Sequence, residues 1–123
     1  MQKQTIMISE GAMFLRAEIK DMLADEENIE LLEASSGEET SAKIDEGILD
    51  VLLINVDLCR GEEGFSVKLS RKRQKKLKIL VLGTVDNLSE LQNLISQGAQ
   101  DYLIRPFEAS DLKNKLEAMH VFG

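Results

Sequence analysis

The chain is poor in the residues that build metal centres and covalent frameworks. Its 123 residues include one cysteine, one histidine, one proline, one tyrosine and no tryptophan. A single cysteine excludes an internal disulfide and suits a reducing cytoplasm. With one histidine beside it, a zinc site of the His/Cys type is short of ligands. No apolar run approaches the roughly 20 residues that a membrane span needs. The start, Met1-Gln2-Lys3-Gln4, leads straight into a short apolar strand and lacks the longer apolar region of a signal peptide. The remainder is ordinary for a folded domain, with 43% hydrophobic and 30% charged residues. Residues 1–123 contain no repeat, linker or low-complexity segment and are long enough for one core, so a single domain is predicted.

Charge is present but unevenly placed. The net charge is -7, yet Lys68, Arg71, Lys72, Arg73, Lys75, Lys76 and Lys78 share a segment without an acid. An acidic chain makes a poor general nucleic-acid binder, and no aromatic residue is interleaved with these cations for stacking on bases. The segment is expected to cap the carboxyl end of a helix and then lie in solvent. An acidic partner is the alternative.

The most informative stretch is Asp50-Val51-Leu52-Leu53-Ile54-Asn55-Val56-Asp57. Its apolar run does not alternate, as expected for a parallel strand covered by helices on both faces. Other strands are predicted at Thr5–Ile8, Ile29–Ala34, Ile79–Leu82 and Tyr102–Ile104. Helices are expected from Ala12 to Leu23, from the Ser35-Ser36 cap to about Glu46, and over about Phe65 to Arg73. A fourth runs from Leu88 to just before Gly98, and Ser110 and Asp111 start the last. In the first helix Met13, Phe14, Ala17, Ile19, Met22 and Leu23 roughly follow helical spacing. Five strands each followed by a helix imply a three-layer α/β/α domain with a parallel sheet. Right-handed crossovers favour the flavodoxin-like order 2-1-3-4-5. Sites in such sheets lie past the carboxyl ends of the strands, where Asn55 and Asp57 stand.

At strands three and five the chain resembles the receiver domains of bacterial response regulators, the CheY-like fold. Asp50 to Asn55 is similar to the family's Asp, apolar run and phosphoacceptor Asp. Gly98-Ala99-Gln100-Asp101-Tyr102-Leu103-Ile104-Arg105-Pro106-Phe107 resembles its Gly-Ala-x-x-Tyr-x-x-Lys-Pro-Phe segment. The resemblance implies a signalling role, with a magnesium pocket formed by two acids after strand one. Those places carry Ser9 and Glu10. The phosphoacceptor position carries Asn55, the Thr/Ser position Gly83 with Thr84 next to it, and the Lys position Arg105. Tyr102 matches the aromatic switch residue. Cys59 stands near the usual Pro, in a loop where it reads as a plain thiol.

These departures bear on chemistry. Phosphoryl uptake needs a carboxylate nucleophile and a hard cation to offset phosphate charge. Asn55 presents a poorly nucleophilic amide, and Glu10 is the one certain carboxylate left of three. Each lost close charge is worth about 4 kcal/mol at moderate dielectric, so magnesium binding should be weak or absent. The leading expectation is a non-enzymatic pseudo-receiver, a phosphorylation-independent protein-interaction module. In it Glu10 and Arg105 pair and Asn55 only holds the loops. Partners would meet the face of the fourth helix, fifth strand and fifth helix, with a homodimer as one form and Lys113, Lys115 and Asp101 as intersubunit ion pairs. One alternative uses Asp57 as phosphoacceptor, since strand parity would point it to the side of Asn55. Another is a small-anion site at Arg105 or Thr84.

Overall fold

The structure, a computed structural model, describes residues 3–122. Five strands alternate with five helices: β1 (Gln4–Ser9), α1 (Met13–Leu23), β2 (Ile29–Ala34), α2 (Gly37–Asp45), β3 (Val51–Asn55), α3 (Val67–Arg73), β4 (Lys78–Thr84), α4 (Leu88–Gln97), β5 (Asp101–Arg105) and α5 (Ala109–Ala118). Every strand pair is parallel and the order is β2-β1-β3-β4-β5. This is the predicted flavodoxin-like, CheY-like arrangement.

The unbroken apolar run of β3 has a direct cause. Leu52 and Ile54 join one core with Met7, Ile79, Val81 and Leu91. Val51 and Leu53 join the opposite core with Ile6, Ile8, Leu80 and Leu112. Alternate side chains thus enter two separate apolar layers, and all five residues of β3 are buried. Full burial of each aliphatic side chain contributes about 1.5–3 kcal/mol, and β4, with Ile79, Leu80, Val81 and Leu82 buried in the same way, matches β3 in this respect.

Local signals place the helices around it. The Ser36 hydroxyl accepts from the Glu39 N–H at 3.1 Å, and Glu38 and Glu39 sit in the first turn of α2. Past its end, Gly47 takes φ 74°, a left-handed turn that only glycine adopts freely.

Several expectations are corrected. The inward stripe of α1 is Ile19, Met22 and Leu23, whereas Met13, Phe14 and Ala17 face solvent. The apolar pattern of that helix was broader than the face it buries. Helix α3 starts at Val67, because Ser66 caps it through the Leu69 N–H. Phe65 instead lies in the core, its N–H donating to Leu58 O at 2.8 Å. Helix α5 starts one residue earlier than Ser110, where the Asp111 carboxylate accepts from the Glu108 N–H at 2.8 Å. Nor does all of the basic segment lie in solvent. Arg71 donates to Gly98 O, Gln74 O, Lys75 O and Leu77 O and to Gln100 Oε1, at 2.6–3.1 Å.

Candidate functional site

Ser9, Asn55, Thr84 and Arg105 are the last residues of β1, β3, β4 and β5, so the parallel sheet delivers them to one edge. Glu10 follows Ser9. This brings together the residues expected at the carboxyl ends of the strands, and Glu10 lies at their centre. Its Oε1 accepts from Asn55 Nδ2 at 2.5 Å and from Arg105 Nη1 at 3.1 Å. Its Oε2 accepts from the Ala12 N–H at 2.9 Å. The Glu10 side chain is 6% exposed and that of Arg105 16%. The pairing expected of Glu10 and Arg105 is therefore present.

The electrostatics follow from these contacts. Burial disfavours the Glu10 carboxylate, but the Ala12 N–H, the Asn55 amide and the Arg105 guanidinium outweigh it. The carboxyl group consequently titrates below its ordinary value of 4.5. Arg105 is further held by Phe107, whose ring centroid is 5.9 Å from the guanidinium carbon. Its Nη2 is buried without a hydrogen-bond partner. The following Arg105–Pro106 peptide bond is cis.

Asn55 is fixed at both ends of its amide. While Nδ2 donates to Glu10, Oδ1 accepts from the Asp57 N–H at 3.0 Å. That second bond closes a 3-10 turn over Val56–Cys59 and ends the strand at Asn55. Strand parity therefore does not extend to Asp57. Its side chain is 64% exposed and pairs with Arg60 Nη1 at 2.6 Å. Arg60 also makes a bidentate pair with Glu90 of α4, both contacts at 2.7 Å.

The remaining positions are occupied structurally. Ser9 is fully buried, with its hydroxyl 2.7 Å from that of Thr40 in α2. Thr40 Oγ1 also donates to Ser36 O at 2.8 Å. A Cβ on Gly83 would meet Asn87 Oδ1 at 3.1 Å and the Leu91 methyl groups at 3.2 Å. The space for a longer side chain there is filled by α4. Exposed Thr84 turns to Asn87, which accepts from its N–H at 2.9 Å and its hydroxyl at 3.2 Å.

A magnesium ion needs several anionic or neutral oxygens free to face it. Glu10 has both oxygens engaged, Ser9 points into the core, and Asn55 turns its amide nitrogen toward Glu10. No group of three or more His, Cys, Asp and Glu able to hold a metal ion occurs among the described residues.

On the flank of the sheet, Tyr102 is half-buried and lines an open groove of about 510 Å³ with Leu103, Ile104, Pro106, Phe107 and Lys115. The ion pairs expected between subunits are made within the chain. Lys115 meets Asp101 at 3.0 Å, and Lys113 meets Asp25 at 2.7 Å. Cys59 belongs to the 3-10 turn, not to an open loop, and burial pushes its thiol up to about 12.

Sequence reasoning missed Thr40, Arg60 and Glu90 as parts of this region. The Ser9–Thr40 and Arg60–Glu90 contacts join residues about thirty apart in sequence, and no local pattern encodes them. The Asn55-to-Asp57 turn was legible in principle, since asparagine commonly accepts from the N–H two residues on.

With this geometry in place, comparison with known proteins is decisive for family. The model of the response regulator receiver domain matches residues 6–117. The chain belongs to that family. Its relatives include the chemotaxis protein CheY of Listeria monocytogenes, 23% identical over 91% of this chain and 94% of that protein. The transcriptional regulatory protein CiaR of Streptococcus pneumoniae is 27% identical over 93% of this chain but 50% of its own length. The chemotaxis response regulator CheY4 of Vibrio cholerae superposes with a TM-score of 0.80 at 24% identity, covering 95% and 98% of the two chains. This receiver domain thus has the family's fold, and receiver domains act in signalling through protein partners. Among its described residues no helix is long and apolar enough to cross a membrane.

Proposed function

We propose that this receiver domain works without phosphorylation, as a non-enzymatic protein-interaction module of cytoplasmic two-component signalling. One observation carries the reading. The residue at the phosphoacceptor position, Asn55, is an amide with both polar atoms committed, Nδ2 to Glu10 and Oδ1 to the Asp57 N–H. A nucleophile there would need a free carboxylate oxygen and a cation to offset phosphate charge. Weak or absent magnesium affinity belongs to the same reading, since Arg105 already neutralises Glu10. The partner surface is the α4-β5-α5 face around Tyr102, used for a signalling partner or a second copy of the chain.

Acetyl phosphate and magnesium should leave the intact mass unchanged, and beryllofluoride with magnesium should leave the amide NMR spectrum unchanged. A CheY-type receiver treated in parallel controls the reagents. A phosphoryl mass gain mapped to Asp57 would overturn the reading in favour of a working phosphoacceptor. A second reading, binding of a small anion, is favoured by the unpartnered Arg105 Nη2. Saturable calorimetric binding of phosphate that is lost in Arg105→Met would support it.

A further inference from the structure

A cavity of about 340 Å³ opens between the loop that follows β3 and helix α4. None of Ser9, Glu10, Asn55, Thr84 and Arg105 lines it, so it is separate from the strand-end site. Its size falls within the range of small-molecule sites, which begins at about 300 Å³. Val56, Phe65 and Leu94 form its floor, and all three are buried members of one core. The loop wall is fixed in place. The Gly64 N–H donates to Gly61 O at 3.1 Å, and the Arg60 guanidinium ties the loop to Glu90 of α4. A Cβ on Gly64 would collide with the Arg60 carbonyl, so only glycine lets the chain close this tightly. A cavity whose walls are already held loses little freedom when a ligand fills it.

The polar groups on its walls define what can fill it. Glu90, Asn93, Leu94 and Gln97 follow helical spacing, so one face of α4 is turned to the cavity. On that face the carboxamides of Asn93 and Gln97 make no hydrogen bond to another described residue. The Ser66 hydroxyl accepts from the Leu69 N–H, which leaves its own proton free. A carboxamide can donate and accept at the edge of a single ring, which is how Asn and Gln read adenine. Charge narrows the choice. Arg60 is met by Glu90 and Asp57, whereas Glu62 on the same wall has no cation partner among the described residues. The lining thus carries two carboxylates, Glu62 and Glu90, to one guanidinium, a balance that disfavours phosphate and carboxylate ligands.

We propose that this cavity binds a small uncharged nitrogen heterocycle of the aminopurine or aminopyrimidine type, as free base or nucleoside. The apolar face of the ring lies on Phe65 and Leu94. The Asn93 and Gln97 carboxamides pair with its ring nitrogens and exocyclic amino group, and Glu62 accepts from an amino or hydroxyl group at the mouth. The proposal is independent of whether Asn55 or Asp57 can be phosphorylated.

Amide NMR titration of the intact, isotope-labelled chain with adenine, cytosine, adenosine and AMP tests it. At least one of the three uncharged probes should bind saturably at about millimolar concentration or below. The shifted amides should fall within residues 59–66 and 90–97. AMP should bind more weakly than the tightest uncharged probe, because its phosphate meets Glu62 and Glu90. The double variant N93A/Q97A should weaken binding by about tenfold or more, whereas Gln92→Ala, outside the lining, should leave it unchanged. Asn93 and Gln92 are exposed and Gln97 is half-buried, so both variants should fold, and their amide spectra verify it. Absence of saturable binding by every uncharged probe would overturn the proposal. So would AMP binding as tightly as the best of them, or equal affinity in N93A/Q97A and the parent.

Discussion

Glu10 decides the state of the strand-end site at the scale of single residues. It could have been one of two cation ligands; instead it accepts from the Ala12 N–H, the Asn55 amide and Arg105. These bonds lower its pKa in the folded state despite burial, so the carboxylate contributes stability above the ordinary value of 4.5. The contribution is lost as pH falls through the lower folded value. Chemical denaturation across pH 7 to pH 3 should therefore show an acid-side decline that is shallower in Glu10→Gln. At pH 7 that variant should lose about 2 kcal/mol, because Arg105 keeps its buried charge without a counter-charge. Equal pH slopes for the two proteins would remove Glu10 from the role given to it. Gly83 shows the same commitment by a different route. Its side-chain space is bordered by Asn87 and Leu91, so a hydroxyl-bearing residue there would require those two side chains to give way by a few tenths of an ångström.

Helix α3 is the element whose sequence reading changed most. Its basic residues divide into two kinds that composition does not distinguish. Arg71 reaches inward and joins four backbone carbonyl groups from α3's end, the turn before β4 and the α4–β5 connection. Partial burial pushes its pKa down, yet a guanidinium keeps its charge and offers five donors in a fixed plane. Lysine offers three donors from a single point and cannot span those oxygens. Arg71→Lys should cost about 2 kcal/mol in urea unfolding, close to Arg71→Ala, with the strongest loss of amide protection at residues 74–79 and 98–100. Full stability in Arg71→Lys would show that charge alone suffices. Lys68, Lys72, Lys75 and Lys76 remain exposed, while Lys78 donates to the His120 carbonyl at 2.8 Å. Which of seven cations turns inward depends on three nearby carbonyl groups left open past the end of α3 and on that of Gly98, 27 residues away, and helical spacing carries no such information.

At the scale of the whole molecule, the two apolar layers close around β3 and leave the molecule's single thiol at a junction. Cys59 packs against one core between the 3-10 turn and α4, beside the cavity that Arg60 and Glu90 border. With its thiol pushed up to about 12, almost no thiolate is present at pH 8. Alkylation by iodoacetamide at pH 8 should be slow in the native chain and reach the rate of a free thiol in urea. The native rate then reports opening of the β3–α3 segment. Rapid native alkylation would mean that the segment opens far more readily than its packing suggests. The same view of the molecule explains why the first helix was read too generously. Met13 and Phe14 are apolar, but the sheet surface available to α1 is covered by Ile19, Met22 and Leu23.

The sequence by itself determined the fold. Strand burial on both faces, the helix cap at Ser36 and the stop at Gly47 are local signals, and right-handed parallel connections leave few ways to combine them. It also determined that Asn55, Ser9 and Gly83 differ from the residues the family resemblance implies at those positions, because residue identity at the end of a buried strand is read directly. Only the tertiary structure decided what those residues do instead. Glu10 met Arg105 across 95 positions, Ser9 met Thr40, and Asp57 turned outward because the Asn55 amide captured its N–H. Contacts of that kind depend on which strand ends the sheet places side by side, and a one-dimensional pattern does not carry the distance between them.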